Sequence, residues 1–215
     1  MTDTNPHLGQ PARIAGALLS AATAAVIMLH GRGANAEDIL ALSGEFDAPQ
    51  TIFLAPQAAG NTWYPYSFLS PLEQNEPHLA SALAQIDDLL KMLQEAGISA
   101  ARTMLLGFSQ GACLALEYAA RNARHYGGIA GLSGGLIGPD GTSREYSGFF
   151  DNTPVFLGCS EHDPHIPAPR VVETEQVLAR MGARVTRRFY PHLGHTINRD
   201  ELAEVQRLIT ALTDS

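Results

Sequence analysis

The sequence predicts one α/β domain: a mostly parallel central sheet with helices on both faces. Three observations lead there. Short apolar runs alternate with longer amphipathic segments along nearly the whole chain, the pattern of strands joined by crossover helices. Val26-Ile27-Met28-Leu29 has no polar alternation, which marks a strand buried on both sides. The chain has 215 residues, 45% of them hydrophobic and 17% charged, a composition that supplies one substantial core.

The elements follow in order. Residues 1–11 are polar and turn-rich and read as a flexible N-terminal arm, leaving 12–215 as a single domain. Residues 13–19 and 24–29 read as consecutive buried strands. Residues 30–35 form a glycine-containing loop. A helix then starts over 36–42, with Asn35 as its N-cap and Glu37 and Asp38 in the first turn. Residues 51–54 are a strand stopped at Pro56, and 61–70 an aromatic loop. Leu79, Leu83, Ile86, Leu90 and Leu93 recur at helical spacing, and Gly97 ends that helix. Residues 103–107 form a strand and 110–123 an Ala- and Leu-rich helix. Strands follow at 129–132 and 155–157, a helix at 171–181, a strand at 185–190 and a last helix at 200–212. The sequence contains no repeat, low-complexity tract or linker.

Composition excludes several function classes. Lys and Arg total 14 against 22 Asp and Glu, for a net charge of −8, and phosphate recognition needs clustered cations. No nucleic-acid partner is expected. The longest apolar stretch, 17–29, falls short of the ~20 residues a spanning helix needs, so no membrane partner is expected. Ahead of it stand Asp3 and a single basic residue, Arg13, where an export signal carries net positive charge. Two cysteines, Cys113 and Cys159, make no disulfide framework. The expected location is the cytoplasm.

The most informative segment is Gly107-Phe108-Ser109-Gln110-Gly111. It lies between a predicted strand and a predicted helix, the context of a nucleophile elbow. A serine on such a sharp turn projects its hydroxyl above the sheet. The flanking glycines are needed because side chains there would strike the neighbouring strand or helix. The helix N-terminus lends positive potential to a developing oxyanion.

A hydroxyl nucleophile needs a base, and the base an orienting acid. Chains with this elbow supply them in the order Ser, Asp or Glu, His. Glu161 and Asp163 follow the 155–157 strand; Asp163 is preferred because Asp163-Pro164 starts a turn, with the helix expected after Pro169. His195, in Leu193-Gly194-His195-Thr196-Ile197 just before the last helix, is the preferred base, with His192 as second choice. An imidazole, with a reference pKa of ~6.5, shuttles protons near neutrality once a carboxylate orients it. The loop His30-Gly31-Arg32-Gly33 can add a second backbone N–H for the tetrahedral intermediate. Arg32 and Gln110 are the expected oxyanion donors. His30 reads as a structural buttress. The Arg32 guanidinium either faces solvent or favours an acidic substrate.

These three segments together resemble the phospholipase/carboxylesterase family, the α/β-hydrolase branch that includes acyl-protein thioesterases and small bacterial carboxylesterases. The similarity runs in order and spacing from about Ala24 to the C-terminus. It implies an α/β-hydrolase fold with Ser109 as nucleophile, His195 as base then acid, Asp163 as orienting carboxylate, and no cofactor or metal. The thioesterases usually carry Leu and Asp where this chain has Arg32 and Ala34. The stretch 61–68 is more similar to the bacterial carboxylesterases. Both features favour small esters over long-chain or protein thioesters.

Trp63, Tyr66 and Phe68, with Tyr64, are candidates to line a substrate pocket at the sheet's C-terminal edge; a packed loop or a dimer contact is the other reading. His162-Asp163-Pro164-His165 resembles a metal cluster, but adjacent residues rarely converge on one tetrahedral centre. Cys113, one helical turn after Ser109, reads as core, and Cys159 lacks an elbow. The expected protein is a serine carboxylesterase acting on a small-molecule ester or thioester, with a homodimer expected on general grounds alone. The rivals are a lactone or dienelactone hydrolase acting on carboxylate-bearing substrates, and a catalytically silent binding protein.

Overall fold

Seven strands make the central sheet of the computed structural model, which describes residues 5–213. They are β1 (Ala12–Gly16), β2 (Ala24–Leu29), β3 (Thr51–Pro56), β4 (Thr103–Phe108), β5 (Gly128–Leu132), β6 (Pro154–Ser160) and β7 (Arg184–Tyr190). Five α-helices join them: α1 (Ala36–Leu40), α2 (His78–Glu95), α3 (Gln110–Arg121), α4 (Ala168–Arg180) and α5 (Arg199–Thr213). The strand order is β1-β3-β2-β4-β5-β6-β7. All pairings are parallel except β1 with β3.

The two-residue period of a strand divides the core into two layers. Ile27, Leu29 and Leu105 face one layer with Leu79 of α2, Leu114 of α3 and Val171 of α4. Val26, Met28, Met104 and Leu106 face the other with Ile39 of α1 and Val205 and Ile209 of α5. Helices therefore cover both faces, and β2, β3 and most of β4 are buried along their length. Among the described residues no helix is long and apolar enough to cross a membrane.

Some sequence expectations change. The first strand stops at Gly16, where φ is +80° and a side chain would come within 2.4 Å of the Thr51 carbonyl. It is an exposed edge strand paired with β3, not half of a buried pair with β2. The helix after Asp163 begins at Ala168, before Pro169 rather than after it. The first helix ends at Leu40 and continues as a 3-10 turn over Ala41–Glu45.

The expected loose arm over 1–11 also needs correction where it is described; residues 1–4 lie outside the described residues. His7 is buried. Its Nδ1 accepts from the Ala59 N–H at 3.0 Å, and its Nε2 donates to the Trp63 carbonyl at 2.9 Å. Its own amide donates to Ser81 Oγ at 2.9 Å. The arm is thus tied at His7 to α2 and to the loop after β3.

Candidate active site

Five loops at the C-terminal ends of parallel strands meet at one rim of the sheet, as open α/β sheets favour. They follow β2, β3, β4, β6 and β7. Ser109 stands between β4 and α3 with φ +55° and ψ −119°, a conformation a non-glycine residue adopts only when its surroundings force it. The forcing groups are identifiable. A Cβ on Gly107 would lie 2.3 Å from the Gly111 carbonyl oxygen, and one on Gly111 would lie 2.1 Å from the Leu29 carbonyl oxygen. Strand, turn and helix touch through backbone alone, which holds the turn tight and the serine side chain outward.

His195 Nε2 lies 2.8 Å from Ser109 Oγ. Its Nδ1 lies 2.8 Å from Asp163 Oδ2. Asp163 Oδ1 accepts from the His165 amide at 2.8 Å and the Ile166 amide at 3.0 Å. The Asp163 side chain has 0% exposure and that of His195 has 18%. Burial opposes the charge on Asp163. The His195 hydrogen bond and the two amides outweigh it, so its carboxyl sits below the usual range. The structure thus brings Ser109, Asp163 and His195 together. His192 stands exposed in the turn after β7 with φ +58°, and Glu161 is exposed.

His195 is flanked on two sides. The Phe108 ring lies 5.0 Å away and His165 meets it edge-on at 4.8 Å. The Cys159 thiol reaches toward Asp163 Oδ2 at 3.9 Å. Burial pushes both Cys113 and Cys159 up to about 12, so neither offers a thiolate at neutral pH.

The loop after β2 approaches Ser109 closely: a Cβ on Gly31 would be 3.4 Å from Ser109 Cβ. His30 anchors it. Its Nδ1–H donates to the Gly31 carbonyl at 2.8 Å, and its Nε2 accepts from the Ala58 N–H at 3.2 Å. Desolvation lowers its pKa, consistent with a neutral ring that must accept at Nε2. Arg32 follows, at the loop's turn toward the rim.

A cavity of about 450 Å³ opens over Ser109 and is lined by Arg32, Tyr64, Tyr66, Phe68, Cys113 and Ile166. Tyr66 and Phe68 line the cavity wall. Trp63 does not. It is fully buried behind the wall, its Nε1–H donates to the His30 carbonyl at 2.8 Å, and its ring packs 4.8 Å from His30. An aromatic loop has an inner and an outer side, and the indole fills the inner one.

Several residues that matter here carry no local signal in the sequence. The Gln110 side chain accepts from the Trp63 amide at 3.0 Å and donates to the Tyr64 carbonyl at 2.8 Å. Buried Asn75 accepts from the Tyr66 amide at 2.9 Å and donates to the Ser67 carbonyl at 3.1 Å. The Gly138 amide donates to the Phe68 carbonyl at 2.7 Å, and the Arg170 guanidinium lies 5.8 Å from the Phe68 ring centre. The wall is held from outside, backbone group by backbone group.

Comparison with known proteins agrees with this architecture. The phospholipase/carboxylesterase family pattern matches residues 17–213. A phospholipase/carboxylesterase structure from Dyadobacter fermentans is 44% identical with a TM-score of 0.90, over 94% of this chain and 97% of that one. The structure of esterase PE8 is 25% identical with a TM-score of 0.77, over 94% and 99%. Acyl-protein thioesterase 1 of Yarrowia lipolytica is 28% identical over 161 residues, 67% of this chain and 71% of that protein. With an α/β sheet of this topology, a serine on the elbow and a match along nearly its whole length, the chain belongs to the phospholipase/carboxylesterase family of α/β-hydrolase enzymes.

Proposed function

We propose that the protein is a serine carboxylesterase that hydrolyses small carboxylic esters or thioesters through an acyl-enzyme. The observation that carries this is the unbroken line from Ser109 Oγ through His195 to Asp163, with 2.8 Å at each step. His195 Nε2 takes the hydroxyl proton as Ser109 Oγ attacks the acyl carbon. Asp163 accepts from Nδ1–H, holds the ring in the tautomer whose Nε2 is free, and stabilises the imidazolium that forms. The backbone amides of Arg32 and Gln110 receive the developing oxyanion; the Gln110 amide belongs to the first turn of α3, where N–H groups lack helical partners. The tetrahedral intermediate collapses, His195 protonates the leaving alkoxide or thiolate, and the acyl group remains on Ser109. Water then repeats the sequence, with His195 again as base, and releases the acid.

The fixed aromatic lining supports the small-substrate reading. The cavity holds about 450 Å³, with Phe68 and Tyr64 as fixed aromatic walls and Tyr66, 55% exposed, at the rim. The rival that uses the Arg32 guanidinium to bind a substrate carboxylate has less support, because that group is committed to protein carbonyls. A fluorophosphonate probe tests the reading. Wild-type labelling that Ser109→Ala abolishes is expected, together with highest kcat/KM on short p-nitrophenyl esters. Absent labelling, or equal labelling of Ser109→Ala, ends it; a preference for long acyl chains ends the small-substrate part.

A further inference from the structure

We propose that the Arg32 side chain is a positioning residue, a strap that fixes the oxyanion loop and the acyl-pocket wall as one rigid unit. The proposal rests on the esterase reading above. Arg32 Nη2 donates to the Tyr64 carbonyl at 2.9 Å and the Tyr66 carbonyl at 2.6 Å, and Nη1 donates to the Pro65 carbonyl at 2.8 Å. Three consecutive carbonyls converge on one guanidinium, a geometry its planar fork suits and a single ammonium does not.

The loop needs such a tether. Close approach to Ser109 requires Gly31, and the turn at Gly33 has φ +79°. Two glycines leave a backbone with much conformational freedom and no side chains to pack. Arg32 supplies the one side chain between them. Beyond it, the Gly33 amide donates to the Asn61 carbonyl at 2.8 Å, so the two loops are joined twice within two residues. The amide assigned to the oxyanion belongs to the residue whose side chain grips the wall. Oxyanion geometry and acyl fit are therefore coupled through one residue.

The test uses Arg32→Ala and Arg32→Lys in the full chain. The readouts are kcat and KM on a p-nitrophenyl ester series, fluorophosphonate labelling, and thermal melts. Removing one oxyanion donor outright costs about 10²–10³ in kcat; a donor that is loosened rather than lost should cost about 10- to 100-fold. Arg32→Ala is expected to show that loss in kcat, with a flatter dependence of kcat/KM on acyl length. Arg32→Lys keeps the charge and loses the fork, and is expected to match Arg32→Ala. Millimolar guanidinium ion should restore several-fold activity to Arg32→Ala, while methylammonium should not. If Arg32→Ala fails to fold, Arg32→Lys carries the same kinetic comparison. An active wild type with Arg32→Ala or Arg32→Lys at wild-type kcat and acyl profile overturns the strap. So does a loss of activity that guanidinium cannot reverse, or one that methylammonium reverses equally well. A wild type inert toward both esters and fluorophosphonate overturns the esterase reading instead.

Discussion

Asp163→Asn should disable the base by reversing a proton, with the fold left standing. Two fixed donors decide the outcome. The His165 and Ile166 amides point at Oδ1 from 2.8 and 3.0 Å, and they need an oxygen. Asparagine can satisfy both only by keeping its carbonyl there, which puts its NH2 where Oδ2 now faces His195 Nδ1. A donor then meets Nδ1, so the ring must carry its proton on Nε2. That nitrogen can no longer accept from Ser109 Oγ. Flipping the amide would leave two backbone donors against an NH2 group, at about 1–3 kcal/mol for each buried unsatisfied group. The wrong tautomer therefore prevails. In a serine-protease triad this change costs about 10⁴-fold in kcat, or about 5.5 kcal/mol of barrier, and a similar loss is expected here. The assay is kcat/KM on p-nitrophenyl acetate near neutral pH, alongside a thermal melt. The ionised Asp163 also adds stability that is present above the usual carboxylate range and lost as pH falls through its depressed pKa; the variant should lack that acid-dependent portion. An Asp163→Asn enzyme within tenfold of wild type would refute the tautomer argument.

Three other expectations concern the frame. Gly111→Ala forces a Cβ to 2.1 Å from the Leu29 carbonyl oxygen, backbone against backbone; overpacking of this kind costs about 1–3 kcal/mol or more, and a melt showing no fall in Tm would contradict the contact. Burial raises the Glu201 carboxyl from 4.5 to about 7. A raised acid binds its proton more tightly in the folded state, so stability falls as pH rises from about 4.5 to about 7, by up to about 3 kcal/mol from this group. Glu201→Gln should flatten that slope in urea melts, and an unchanged slope would exclude Glu201 as its source. His7→Ala strips the partners from the Ala59 amide and the Trp63 carbonyl. It should cost about 2–4 kcal/mol in urea unfolding, whereas a change under 0.5 kcal/mol would restore the view of a loose arm.

The inner strands were legible because burial on both faces leaves nothing but apolar residues, as in Ala24–Leu29. The turn around Ser109 was legible because its steric demand falls on Gly107 and Gly111, both within two residues. Asp163 and His195 stand out in the sequence by their places after strands and by chain order, and the structure sets them 2.8 Å apart. What stayed hidden depends on partners far along the chain. Nothing near Arg32 announces carbonyls 32 to 34 residues away, and nothing near His7 announces Trp63. Trp63 itself was misplaced because composition marks the loop as aromatic without saying which ring turns inward. The edge position of β1 was missed for a related reason: Ile14 and Leu18 are apolar yet 60% and 77% exposed, so hydrophobicity alone suggested a buried strand.

The main chain of the segment from Trp63 to Phe68 is held from outside: Gln110, Asn75, Arg32 and the Gly138 amide take hold of its amides and carbonyls, while Trp63, Tyr64 and Phe68 also bury their rings in the core. At Tyr66, 55% exposed, the frame is therefore largely indifferent to which side chain it displays. Position 66 can be exchanged for a larger, smaller or more polar residue without unhooking the strip that carries it, whereas Phe68, 6% exposed, belongs to the core. A lineage, or an engineer, can in this way reshape the cavity rim at position 66 while Ser109 and His195 keep their geometry.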